Sequence, residues 1–145
     1  MNCPACAQLL SEHQAGGLGL RICRDGCGGV WFDTFEMDQL DQDTEALSEL
    51  LLRPRERPAT EVDPMSPRLC PRCESIALKR VLLSPGSVVH VHECPSCDGC
   101  WLDEAELAKL HDERFALIES GKIQPGGAFD LIHYLYEVRT GKRNR

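Results

Sequence analysis

The sequence predicts a small, metal-stabilised α+β fold: two copies of one hairpin-and-knuckle module, each followed by an α-helix, with a further helix at the C-terminus. Three observations lead there. Nine cysteines stand in a chain of 145 residues with only 6% aromatic side chains. Most of them form closely spaced pairs that recur in the same order in both halves. After each tryptophan the apolar spacing changes from alternation to a helical period.

The cysteines carry the first step. A module of about 60 residues buries only about 60% of its unfolded surface, so an apolar core alone holds it weakly. The chain does not open on a basic stretch followed by an apolar segment, and no window approaches the ~20 apolar residues of a membrane span. A soluble, cytoplasmic protein is expected. In a reducing compartment paired cysteines are metal ligands or redox groups rather than disulfides, and an odd total also fits a disulfide framework poorly.

The chain is an internal repeat. The first copy runs Cys3-Pro4-Ala5-Cys6, then Cys23-Arg24-Asp25-Gly26-Cys27-Gly28-Gly29-Val30-Trp31-Phe32-Asp33, then Glu36, Met37 and Leu40. The second runs Cys70-Pro71-Arg72-Cys73, then Cys94-Pro95-Ser96-Cys97-Asp98-Gly99-Cys100-Trp101-Leu102-Asp103, then Glu106, Leu107 and Leu110. These boundaries give modules over 1–53 and 68–121, a proline-rich linker over 54–67 that reads as stiff and extended, and a C-terminal segment over 122–145. Two thiolates two residues apart turn about one ion in a tight knuckle, and a second pair brought in by a hairpin completes a tetrahedron. A CxxC…CxxC arrangement occurring twice is a specific signal for zinc, although paired knuckles also suit iron. Cys23 and Cys27 are spaced by three residues and have Arg24 in place of proline, which predicts a looser or altered first site.

Alternating Leu18, Leu20 and Ile22, and the runs Val81 to Leu83 and Val88 to Val91 around Ser84-Pro85-Gly86-Ser87, predict the hairpins that bring the knuckles together. Asp33 with Glu36, and Asp103 with Glu106, match a capping box at the start of each helix. Trp31 and Trp101 are expected between helix and ribbon, covering the metal from water. Met37, Leu40, Thr44, Leu47 and Leu51 form one helical stripe, and Ala128, Phe129, Ile132, Leu135 and Tyr136 another.

Both repeats resemble the small bacterial zinc-finger family named for transcription factor IIB, whose pattern is CPxC, a hairpin, then CPxCGGVWLDxxEL and an amphipathic helix. The resemblance covers Cys3 to about Leu52 and Cys70 to about Ser120. It implies a zinc-ribbon fold with two zinc ions, one on Cys3, Cys6, Cys23 and Cys27 and one on Cys70, Cys73, Cys94 and Cys97. Ala7 and Glu74 stand where that pattern usually has a knuckle glycine. Cys100 forms a further CxxC with Cys97 and is an alternative ligand to Cys94, but its alignment with Val30 favours a buried thiol. His90 and His92 share a strand face and are left out of the ligand set, because four thiolates already saturate zinc.

Composition then bounds function. The formal charge is −7, and two Zn(Cys)4 centres carry it to about −11. Such a body disfavours phosphate binding, although positive charge does collect at the end of the chain in Arg139, Lys142, Arg143 and Arg145. The leading expectation is a non-catalytic zinc-binding protein that mediates protein–protein interaction or self-association through its helix stripes. The alternative is a nucleic-acid-binding or transcription-associated regulator using the basic tail. Thiol redox or zinc catalysis is disfavoured, because all-cysteine sites lack the open position of a catalytic zinc.

Overall fold

The computed structural model describes residues 1–15, 18–33, 48–51, 58–123 and 131–140. Six strands form one antiparallel sheet: β1 (Ser11–Ala15), β2 (Leu18–Ile22), β3 (Val30–Phe32), β4 (Lys79–Leu82), β5 (His90–Glu93) and β6 (Cys100–Leu102). Their order is β1-β2-β3-β6-β5-β4, so each repeat supplies three strands and the repeats join edge to edge at the centre. The seam pairs Val30 with Leu102, Trp31 with Trp101 and Phe32 with Cys100, which places an approximate two-fold axis beside the two tryptophans. β1 is missing from the sequence reading because Ser11-Glu12-His13-Gln14-Ala15 has no apolar alternation. It is held by its ladder to β2 instead.

Strand alternation sorts the side chains onto two faces. Val30, Phe32, Cys100 and Leu102 join Leu20, Ile22, Val89 and Val91 in one buried cluster, which the helices cover. Trp31 and Trp101 point to the opposite face and pack among the knuckle cysteines, Leu10, Val62 and Leu78. The tryptophans therefore adjoin the metal side as expected, but among the described residues neither lies between a helix and the ribbon.

Helix α1 (Glu104–Glu119) follows β6 directly and buries Glu106, Leu107 and Leu110. It ends where Gly121 takes φ 76°, with the Lys122 amide donating to Leu117 O at 2.9 Å and Ile123 buried beyond it. The expected capping box does not form. Asp103 occupies the N-cap position but makes no side-chain cap bond. Its carboxylate instead accepts from Trp101 Nε1 at 2.8 Å and from Arg68 at 2.9 Å. Glu106 accepts from the His90 amide at 2.7 Å. In the first repeat, residues 34–47, including Glu36 and the stripe from Met37 to Leu47, lie outside the described residues; 48–51 are helical.

The second helix, α2 (Leu131–Thr140), lies in the helix-side core with Leu131, Ile132, Tyr134, Leu135, Tyr136 and Val138 all buried. The described part of its stripe, Ile132, Leu135 and Tyr136, packs within the chain and is not on the surface, while Ala128 and Phe129 lie outside the described residues. Tyr136 stacks edge-on against Phe32 at 6.1 Å and donates to Asp33 O at 2.8 Å. The described part of the linker is folded rather than simply extended. Ser66 N donates to Asp63 O at 3.1 Å, closing a turn whose carbonyls at Asp63 and Ser66 accept from the buried Arg68 guanidinium.

Gly29 and Gly99 make the seam possible. A Cβ on Gly29 would overlap the Trp101 ring, and one on Gly99 would overlap the Trp31 ring. Gly29→Ala or Gly99→Ala is expected to destabilise the zinc-loaded protein by about 1–3 kcal/mol, the range of overpacked cores. Denaturant titration followed by tryptophan fluorescence measures it, and a change under about 0.5 kcal/mol contradicts the close contact.

Candidate metal centres

All four knuckles are built by one backbone device. The amide of each leading cysteine bonds a carbonyl beyond its own turn: Cys3 to Gln8 at 2.7 Å, Cys23 to Gly29 at 2.9 Å, Cys70 to Ile76 at 2.8 Å and Cys94 to Gly99 at 3.0 Å. The residue after each second cysteine then turns left-handed: Ala7 at φ 68°, Gly28 at 80°, Glu74 at 65° and Asp98 at 61°. Three of these four carry a Cβ in a region that favours glycine.

This framework gathers the eight predicted cysteines into two sets, Cys3, Cys6, Cys23, Cys27 and Cys70, Cys73, Cys94, Cys97, with all sulfurs of a set within 4.8 Å of one another. A tetrahedral ion with Zn–S of about 2.3 Å requires sulfurs about 3.8 Å apart. The first set shows 3.6 Å for Cys3–Cys27 and 3.4 Å for Cys6–Cys23. The second shows 3.8 Å for Cys70–Cys97 and 3.9 Å for Cys73–Cys94. Both fit zinc. Each set offers four thiols and none is in a disulfide.

Backbone amides point at the sulfurs and favour their charged form, although before metal binds the Cys23 thiol beside Cys3 and the burial of Cys70 push these two thiols up to about 12. Ala5 N and Cys6 N donate to Cys3 Sγ at 3.3 and 3.4 Å, and Cys73 N donates to Cys70 Sγ at 3.2 Å. Burial opposes ionisation of Cys94, but the Cys97 and Ser96 amides together with the Cys97 and Cys70 thiols outweigh it and bring this thiol down to about 7.

The irregular first site closes despite its longer spacing. Gly28 N reaches back to Cys23 O at 2.9 Å, one residue further than the equivalent bonds at Ala7, Glu74 and Asp98. The additional turn residue includes Gly26, where a Cβ would stand 2.6 Å from Cys6 Sγ and 2.8 Å from Cys23 Sγ. Glycine is needed there for space, and its carbonyl accepts from Thr60 N at 3.0 Å, tying the linker to the knuckle.

Cys100 is placed apart. It sits on the helix side of the sheet, buried in the core, and burial pushes its thiol up. It is not in either sulfur set. His92 is buried with both ring nitrogens unbonded, and neither it nor His90 joins a set. Sequence reasoning missed the residues that brace the sites: Arg68, Arg21 and Arg72. Asp33 accepts from Trp31 Nε1 and Arg21 at 2.8 Å each and from Arg72 at 3.3 Å. The Gly-x-Trp-x-Asp pattern shared by the repeats was the available signal. Of the expected basic tail, Arg139 is engaged with Glu93 at 3.1 Å and Asp98 O at 3.2 Å; Lys142, Arg143 and Arg145 lie outside the described residues.

Elemental analysis is expected to give two zinc ions per chain, one after Cys97→Ser and still two after Cys100→Val. Loss of an ion from the Cys100 variant would overturn the ligand set. Replacing Ala7 or Glu74 by glycine relieves a left-handed Cβ at the cost of added chain entropy, for a net gain of about 0.5–1 kcal/mol. A lowered midpoint in thermal melts of the zinc-loaded Ala7→Gly protein would contradict this.

A search of curated proteins and one of solved structures returned no match. The profile of the family described as transcription factor zinc-finger matches residues 2–42 and 69–113, and each span contains one complete four-cysteine set. With the larger part of its length matched by that profile, and with both metal centres inside the matches, the chain belongs to the transcription factor zinc-finger family.

Proposed function

We propose that this chain is a non-catalytic zinc-binding protein of a reducing, cytoplasmic compartment, acting by contact with a protein partner. Modules 1–53 and 68–121 are taken as hairpin, knuckle and helix units joined through 54–67. One observation carries the reading: each candidate site offers four cysteine thiols, enough to fill the tetrahedral shell of a zinc ion with no position over for substrate or water. The buried α2 stripe directs attention to the knuckle side. There the first knuckles of the two repeats flank a groove of about 550 Å³ whose lining mixes apolar Met1, Leu69 and Pro71 with Asn2, Glu74 and the ligands Cys3 and Cys70; Leu69 is about half exposed, and Met65 is also exposed. Among the described residues no helix is long and apolar enough to cross a membrane.

The competing reading, nucleic-acid binding, rests on the family description and on the charges of the C-terminal tail. The acidic body opposes it, and Arg139 is already paired within the chain. Titration of duplex and single-stranded DNA at low and physiological salt separates the two. The expected result is weak, salt-sensitive binding that disappears when residues 141–145 are removed, while Leu69→Glu with Met65→Glu abolishes co-purification of a protein partner and leaves two zinc ions bound. DNA binding that survives tail removal, with partner capture unchanged in the double variant, would reverse the assignment.

A further inference from the structure

The two metal sites share their supports. Gly29 accepts the amide that closes the Cys23 knuckle and also seats Trp101 of the other repeat; Gly99 does the same for the Cys94 knuckle and Trp31. Each knuckle thus fixes the platform on which the other repeat's tryptophan rests. Both tryptophans and the ligands Cys3, Cys23, Cys27, Cys70 and Cys94 belong to one continuous buried cluster. Further ties cross between the halves. Arg72 reaches Asp33 at 3.3 Å, and α2 bonds the end of β3 through Tyr136 and the second knuckle through Arg139.

Resting on the reading that both sites hold zinc, we infer that the two sites load as one cooperative unit, with Trp31 and Trp101 as the residues that couple them. Binding a structural ion is also folding its site. The first ion to bind bears the entropy of ordering the β3–β6 seam; the second meets a repeat whose tryptophan seat already exists. By linkage the effect is reciprocal, so losing either ion weakens the hold on the other.

Native mass spectrometry of the unmutated chain, supplied with one zinc per chain, gives the first reading. Coupling of about tenfold between equal sites lowers the one-zinc species from about half of the population to about a quarter, with metal-free and two-zinc chains making up the rest. A dominant one-zinc species overturns the inference. Failure to reach two ions at saturation overturns the zinc reading instead. Competition against a chromophoric chelator then locates the coupling. The product of the two stepwise constants of the intact chain is compared with the product of the single-site constants from Cys70→Ser/Cys97→Ser and Cys3→Ser/Cys27→Ser chains. A ratio of about ten or more is expected, falling toward one when all three chains carry Trp31→Leu and Trp101→Leu. A ratio near one in the unmodified background contradicts cooperativity, and one unmoved by the leucine replacements contradicts the role given to the tryptophans.

Discussion

Everything in this fold is arranged about the contact of two indole rings with two glycines across the β3–β6 seam. Tryptophan is the largest side chain in the protein, and both are fully buried on the face opposite the described helices. Part of that area is covered because each ring finds bare backbone in the other repeat. A single module would leave its tryptophan on an open sheet edge, with β3 or β6 presenting unpaired amides and carbonyls to solvent. Pairing removes both exposures at once. Duplication and edge-to-edge closure are thus one solution to the problem of a ribbon too small to cover its own largest side chain.

Within this near-symmetry the repeats are braced differently. In each, the tryptophan Nε1 donates to the aspartate two residues on, which fixes the ring and leaves a carboxylate that needs a cation. In the first repeat Arg21, opposite Trp31 in the ladder, supplies it. In the second the corresponding position, opposite Trp101, is His92, and the cation comes from Arg68 at the end of the linker. Arg68 and Asp103 are 1% and 6% exposed, so neither is left to water. A buried pair of this kind adds little net stability compared with apolar residues, but loss of one partner costs about 3–5 kcal/mol. Its consequence is geometric: Arg68 also holds the Asp63 and Ser66 carbonyls, so the linker turn is locked to the cap of α1.

What was legible in the sequence follows from what is local. Knuckles, hairpins and α1 are short-range objects whose signals, CxxC spacing, alternation and the period after Trp101, lie within a few residues of the structure they specify. The departures at Ala7 and Glu74 were legible too, because the left-handed turn that they occupy is set by the knuckle itself. The seam was not. Nothing in Val30-Trp31-Phe32 names Cys100-Trp101-Leu102 as its neighbour, since both triplets also suit a strand packed under its own helix. The capping box of the second repeat misled for a related reason: Asp103 and Glu106 have the right spacing, but long-range partners at Trp101, Arg68 and His90 outcompete the helix amides for their oxygens. The α2 stripe was correctly apolar, yet a period cannot say whether the covering surface belongs to the same chain.

The two stabilising agents act on opposite faces of one thin sheet. The helix side has an apolar core shared by both repeats, running from Leu20 and Ile22 across Val30 and Leu102 to Val91, with α2 laid over it. Among the described residues the knuckle side has sulfur, two tryptophans and a smaller set of aliphatic side chains, Leu10, Val62, Ile76 and Leu78. Metal is therefore needed where apolar side chains are fewest. The strands connect the two regimes: Trp31 and Trp101 are flanked in sequence by Val30 with Phe32 and by Cys100 with Leu102, so any shift of a ring towards a loosened knuckle displaces residues of the opposite core. In three-residue strands there is no slack to absorb such a shift, and register at the seam is set jointly by zinc on one face and by helix packing on the other.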